Sequence, residues 1–354
     1  NDDLGDDIMI AGTLAAAWPA PAIAVNEGEE FYLTLTNVGM FVRPDLFDPH
    51  TVHFHGFPQA SAVFDGVPNN SVSINMMASL TYYYNLVEPG TFMYHCHVEA
   101  TEHMQMGMLG NLYVRAGQSR RAPATVLGGH SHLNDGDWDD PPYGNFPGPE
   151  DGDLDGDERF DEGNHDKYAY NDGDASTAYD VEYPLQLGMF DPEFHDASWT
   201  VQPLPFAMMW DTYPMINGRG YPDTVNPDPL PAPAENGGIE SQVEHSLITA
   251  NKGDRILLRL SNLNITVTHT LTSPSIPMRV VGIDSRELRS ADGTENLHYK
   301  ANSVNIGGGM AADVILDTST VDPGTYFLYA ANLNHLSNDT EDFGGMMTEI
   351  VINP

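Results

Sequence analysis

The chain has 354 residues, enough for two ordinary domains that each bury a core. Asp and Glu total 51 against 14 Lys plus Arg, a formal charge of -37, and that field excludes nucleic acid and anionic membrane surfaces as partners. The acids are spread along the whole chain, and Lys occurs only at Lys167, Lys252 and Lys300. This pattern predicts a halophilic protein kept soluble in brine, where salt screens self-repulsion.

The apolar stretch from Ile8 to Val25 contains Gly12 and is broken by Pro19 and Pro21, so it reads as strand and loop, not as a membrane span. Numbering from Asn1 suggests an exported chain freed of its signal, extracellular or at the cell surface. Glu30 to Thr36 alternates polar and apolar residues, Leu80 to Leu86 is rich in Tyr, and Gly110 to Val114 closes the unit. The second half echoes the first: Gly253-Asp-Arg-Ile-Leu-Leu-Arg-Leu-Ser-Asn262 follows the plan of Gly28 to Asn37, and Pro323-Gly-Thr-Tyr-Phe-Leu-Tyr329 that of Pro89 to Tyr94. Echoes in the same order imply an internal duplication. The reading is all-β: two Greek-key β-sandwich domains, 1–118 and 180–354, joined by an acidic, proline-containing connector at 119–179. Inside the connector, Asp151, Asp153, Asp155, Asp157 and Glu162 match the oxygen positions of a calcium loop, with a solvated acidic loop as the alternative.

The chemistry concentrates in His50-Thr-Val-His53-Phe-His55-Gly56 and in His95-Cys96-His97, followed by His103 and Met108. In extended chain, side chains alternate faces, so His53 and His55 point together, while His95 and His97 point opposite to Cys96. A thiolate with two imidazoles and a weak thioether is the donor set of blue copper: His50, Cys96, His103 and Met108, the Met chosen over Met104 and Met106. On the other face, His53, His55, His95 and His97 form an all-imidazole cluster suited to copper that binds a small oxidant. Ordinary hydrogen bonding is the expectation for His130, His132, His165, His195 and His245.

At these residues the chain resembles the superfamily of two-domain multicopper oxidases and copper nitrite reductases. Pro214 to Asp223, Arg279 to Asp284 and Gly344 to Ile350 extend the resemblance into the second half. It implies two cupredoxin domains and a homotrimer whose second copper site lies between subunits. The oxidase pattern of H-x-x-H-x-H-G with H-C-H is reproduced by His50, His53, His55, His95 and His97, yet the two H-x-H pairs of the partner domain are missing. The nitrite reductase pattern maps His55 and His95 onto two copper ligands, His335 onto a third and His269 onto the substrate's helper. That pattern has an Asp where this chain has His53, and no His at the place of His97.

The resemblance therefore implies copper, of type 1 plus a type 2 or type 2/3 site, and a donor that is a small molecule or small redox protein. Dioxygen reduction is the leading expectation, with nitrite reduction to nitric oxide as the alternative and His53 or His269 as the proton donor. A third reading is an electron carrier without a working second site.

Overall fold

A computed structural model describes residues 16–39, 47–57, 61–120, 167–197, 204–234 and 237–354. The calcium-loop residues Asp151 to Glu162, with His130, His132 and His165, lie outside them.

The first half holds β1 (Ile23–Asn26), β2 (Glu30–Thr36), β3 (His53–His55), β4 (Ser79–Asn85), β5 (Gly90–His95), helix α1 (Ala100–Gln105) and β6 (Leu109–Arg115). One sheet runs β1-β6-β5-β3, and β2 pairs with β4 across from it. Alternation on β2 turns Phe31, Leu33 and Leu35 inward, where they meet Phe54, Tyr82, Tyr84, Phe92 and Leu112. Because Phe54 is in that core, its neighbours His53 and His55 must project from the opposite side of β3.

The second half comprises β7 (Val181–Phe190), α2 (Pro192–Ala197), β8 (Tyr213–Ile216), β9 (Ile248–Asn251), β10 (Arg255–Asn262), β11 (His269–Thr272), β12 (Met278–Ile283), β13 (Arg286–Glu287), β14 (Tyr299–Ala301), β15 (Ser303–Ile306), β16 (Met310–Asp317), β17 (Gly324–Ala330) and β18 (Met347–Asn353). One sheet runs β13-β12-β16-β10-β7-β8 with β14 beside β12, and the facing one runs β15-β11-β17-β18-β9. Their inner faces enclose a core of Leu185, Ile216, Ile256, Leu258, Val314, Leu328 and Ile350. The predicted duplication is visible in topology: β1 lies parallel to β6 and β9 parallel to β18, while β5 is antiparallel to β6 and β17 to β18. By the same correspondence β11, on β17, takes the place that β3 takes on β5.

Residues 167–179, which composition assigned to the connector, form part of the packed body. Tyr170 and Tyr179 lie buried on Leu257, Val281 and Ile315, the outer face of the larger sheet. Asn171 and Asp172 bind Gln118, and Asn171 also binds Glu27, so this segment pins the end of the first half. Its acids are offset by bonding: Asp172 accepts from the backbone N–H of Ala175 and Thr177.

A buried polar network joins the halves directly. Thr91 on β5 donates to Asp313 on β16 at 2.6 Å, and the Tyr170 hydroxyl donates to the other oxygen at 2.5 Å. Arg259 on β10, 1% exposed, pairs with Glu182 at 2.8 Å and with Asp313 at 3.7 Å, and covers the Tyr113 ring at 5.2 Å. Burial alone would lower its pKa, but the two carboxylates more than offset this. The strand that Thr91 fixes is the one that ends at His95.

Candidate metal centre

The sulfur site forms where β5 ends and β6 begins. Cys96 follows the last residue of β5 and donates its N–H to the Met108 carbonyl, while Met108 donates to the His103 carbonyl. Between them the chain turns through Glu99, at φ +46, into α1. That short helix returns His103 so that its Nδ1 lies 3.3 Å from the Cys96 sulfur. His50, held by an isolated bridge to Ile74, brings its own Nδ1 to 3.8 Å. The two imidazole nitrogens and the sulfur are near enough to bind one ion. Met104, an alternative axial donor in the sequence, is buried among Met93, Leu109 and Leu263, and Met106 is 51% exposed. Met108 adjoins Cys96 through its backbone carbonyl, which accepts the Cys96 N–H.

Asp48 was missed by that reading, although it stands two residues before His50. Its carboxylate approaches Nε2 of His103 at 3.3 Å and Nε2 of His50 at 3.6 Å, which leaves both Nδ1 atoms for the sulfur side. Burial raises the Cys96 pKa, but hydrogen bonds from His103 and His50 outweigh it and hold the thiol at about 6. Burial likewise lowers His103, yet its bonds to Asp48 and Cys96 push it up to about 10. A ready thiolate between two imidazoles fits copper.

The imidazole cluster occupies the other side of the same strand end. Register sets His53 opposite His95 across β3 and β5. His53 Nδ1–H donates to the Asp65 carbonyl at 2.6 Å, His95 Nδ1–H to the Cys96 carbonyl at 2.6 Å and His55 Nδ1–H to the Gly309 carbonyl at 3.1 Å. With every Nδ1 committed to a carbonyl, the three Nε2 atoms carry lone pairs, and those of His55 and His95 stand 2.9 Å apart. Lone pairs so close repel one another unless a cation lies among them. His97, just beyond the strand, stacks on His95 at 5.5 Å and meets the edge of His53 at 5.2 Å, which makes four convergent rings. Burial lowers the pKa of His95 to about 3, against its bond to the Cys96 carbonyl, so the ring is a neutral base at ordinary pH.

Asp65 reaches the site through a close approach that only glycine permits. A Cβ on Gly66, at φ +77, would lie 2.0 Å from the Val52 carbonyl oxygen. The Asp65 carboxylate then stands 3.8 Å from His53 Nδ1. A cavity of about 480 Å³ opens onto the cluster, lined by His53, His55, Asp65, Asp284, Ser285 and Gly309, the last three from the second domain.

His269 and His335 come together in the second domain with ring centroids 5.2 Å apart. Ala330 donates its N–H to the Met346 carbonyl and Met346 donates to the His335 carbonyl, as Cys96 does to Met108 and Met108 to His103, and Thr272 faces Tyr329 as His53 faces His95, so His269 and His335 take the places of His50 and His103. Among the described residues no ring contact joins this pair to the first-domain cluster of the same chain. His269 is fully buried with neither ring nitrogen hydrogen-bonded, and His335 Nε2 meets Asn332 while its Nδ1 has no partner. Burial, with His335 beside it, lowers His269 to about 3. His195, expected to be structural, hydrogen-bonds to Gln105 at 2.9 Å.

Two family models described as multicopper oxidase match the chain, one over residues 9–119 and one over 202–351. A stretch of 112 residues is 31% identical to Laccase abr2 of Aspergillus fumigatus, covering 31% of this chain and 18% of that protein, so the match spans less than a fifth of the curated relative. The fold is similar to that of a blue copper oxidase from Nitrosomonas europaea, with a TM-score of 0.63 at 23% identity over 95% of this chain and 77% of that one. It is also similar to a copper nitrite reductase from Nitrosomonas europaea, with a TM-score of 0.55 at 17% identity over 95% and 84%.

Proposed function

The chain belongs to the multicopper oxidase family, and from that premise we propose that it is a laccase-like, two-domain copper oxidoreductase with dioxygen as electron acceptor. In this reading the domains are 1–118 and 180–354, and the protein is exported, halophilic and trimeric. His50, Cys96, His103 and Met108 would hold type 1 copper, and His53, His55, His95 and His97 would supply one domain's share of the second site. The share expected from His269 and His335 of a neighbouring copy would have to come from other groups, because His269 has no exposed surface in its own domain and His335 is buried beside it.

Copper bound at these places supplies one-electron redox chemistry beside the thiolate and a site for a small oxidant among the imidazoles. Cys96 and His95 are joined by a peptide bond and by the hydrogen bond to the Cys96 carbonyl, so the two donor sets are held at a fixed separation. Val52 and Phe54, both buried beneath the cluster, exclude water from its core side. Asp65 and Asp284 line the open side, where carboxylates can pass protons to a bound oxidant. The observation that carries the reading is the convergence of four imidazoles, three with Nδ1 tied to a carbonyl, directly behind the only cysteine.

One feature favours nitrite as the acceptor. The Asp65 carboxylate beside His53 offers an active-site acid of the kind that reaction needs, although it arrives from a different position in the chain. In that case His53, which lines the open side, would donate the proton, and His269, buried within its own domain, would not. Copper per chain on loaded protein, together with activity of His97→Ala, separates the readings. The oxidase reading expects more than two coppers and loss of oxygen consumption in the variant. Two coppers, with nitrite reduction intact in His97→Ala, would establish the nitrite reading, and a single blue copper without turnover would leave an electron carrier.

A further inference from the structure

The second domain repeats the framework of the sulfur site with one residue changed. His269 lies opposite Ile306 as His50 lies opposite Ile74. Pro323-Gly-Thr-Tyr-Phe-Leu-Tyr-Ala330 runs in step with Pro89-Gly-Thr-Phe-Met-Tyr-His-Cys96, so alanine stands where the thiol stands. Downstream, Gly345-Met346 repeats Gly107-Met108. Both glycines have positive φ, and their carbonyls accept the N–H two residues on, from Leu109 at 2.8 Å and from Met347 at 3.0 Å. His269, His335 and Met346 are thus the counterparts of His50, His103 and Met108.

The imidazoles are also posed alike. The rings of His50 and His103 lie 4.9 Å apart at an interplanar angle of 73°, and those of His269 and His335 lie 5.2 Å apart at 70°. His335 is 8% exposed against 7% for His103, so solvent reaches both pairs to a similar extent. A methionine such as Met346, buried with Leu271, Leu328 and Ala330, would on its own be core filler. Yet His269 is fully buried with neither ring nitrogen bonded, and Nδ1 of His335 has no partner. Leaving buried polar groups unpaired costs about 1–3 kcal/mol each, and a ligand that takes up these nitrogens removes that cost.

We propose that His269, His335 and Met346 form a further copper site, selective for monovalent copper and lacking the thiolate that makes the first-domain site blue. Two imidazoles and a thioether are a soft, uncharged donor set that suits Cu(I). Two negative charges of the first-domain site are gone. Ala330 replaces the thiolate, and the Asn332 amide stands 3.1 Å from Nε2 of His335, where the Asp48 carboxylate stands 3.3 Å from Nε2 of His103. Among the described residues neither ring has a carboxylate partner. A core without counter-charge takes in one positive charge at lower cost than two, which favours Cu(I) over Cu(II). Copper on Nδ1 of His335 puts that ring's proton on Nε2, and the Asn332 amide turns over to present its oxygen.

The test is anaerobic equilibration of the full chain with Cu(I) buffered by a chromophoric chelator, counting the copper bound per chain. One Cu(I) of the wild type should be held at least about tenfold more weakly in Met346→Leu, with the blue band of the first-domain site unchanged after Cu(II) loading. The count is a difference between chains identical in the first domain, so the copper held there cancels, and the two acceptor readings are counted on the Met346→Leu chain. Ala330→Cys restores the missing thiolate, and on Cu(II) loading it should add a second blue absorption to the first. Met346→Leu conserves volume, so it folds even where Ala330→Cys does not. Equal Cu(I) binding by wild type and Met346→Leu, or a folded Ala330→Cys chain with only the wild-type blue band, would overturn the proposal.

Discussion

Replacing Arg259 by Met tests whether the buried charge network is what locks the two halves together. The side chain is 1% exposed and serves Glu182, Asp313, the Thr91 hydroxyl and the Tyr113 ring. Breaking a buried ion pair by removing one partner costs about 3–5 kcal/mol, since the remaining charge stays desolvated. Here the carboxylates keep other donors: Asp313 retains the Thr91 and Tyr170 hydroxyls, and Glu182 retains Arg115 at 3.7 Å. The cost should therefore fall near the lower end, about 3 kcal/mol, which for a domain of this size is roughly 6–12 °C in Tm. Differential scanning calorimetry on metal-free protein is the assay, and the double variant Arg259→Met, Asp313→Asn supplies the sign. Neutralising Asp313 in the Arg259→Met background removes the stranded charge, so the double variant should be more stable than additivity of the two single changes predicts. A melting shift below about 2 °C for Arg259→Met, or a double variant no better than additive, would refute the argument.

Three further outcomes follow from the structure. His269→Leu should raise the stability of the metal-free chain by about 1–3 kcal/mol, because it removes a buried ring without hydrogen bonds; a loss of stability in the variant would refute that reading. Met108→Leu should alter the blue absorption band and Met104→Leu should leave it unchanged, since Met104 packs among Met93, Leu109 and Leu263; a changed band in the Met104 variant would reassign the axial donor. Burial, aided by Glu287 and Asp174, raises Asp172 to about 6, above the value of 3.8 it has unfolded. The folded state then holds its proton more tightly, so this contribution to stability is complete below about pH 4 and lost as pH rises through 6, a change of about 3 kcal/mol. Denaturant titrations of Asp172→Asn should lack that component, and an unchanged pH profile would count against it.

Much of the architecture is legible in local pattern. Glu30 to Thr36 alternates because one face of β2 meets a core and the other meets solvent, and β2 has those bounds. The echo of Gly28 to Asn37 in Gly253 to Asn262 marks strands that play the same part, β2 antiparallel to β4 and β10 antiparallel to β16. The convergence of the histidines was equally plain, because H-x-H and H-C-H carry their geometry in a two-residue period. What stayed hidden depends on distant partners. Asp65 reaches His53 only because Gly66 lets two backbones touch, and Gly309 meets His55 across 254 positions of sequence. Residues 167–179 were hidden by composition: their acids suggested solvent, but each buried acid has its donors, and the adjoining tyrosines fill the face beneath.

The hydrogen bond from His55 to Gly309 has a consequence for biogenesis. A first domain folded by itself would present His53 and His95 with fixed tautomers, but His55 would be free to turn either nitrogen toward the cluster. Only docking of the second domain, with the β16 turn in place, commits the third ring. A metal held at the cluster would therefore be taken up only after the second domain docks, and a half-folded molecule would offer a weaker trap for the wrong ion.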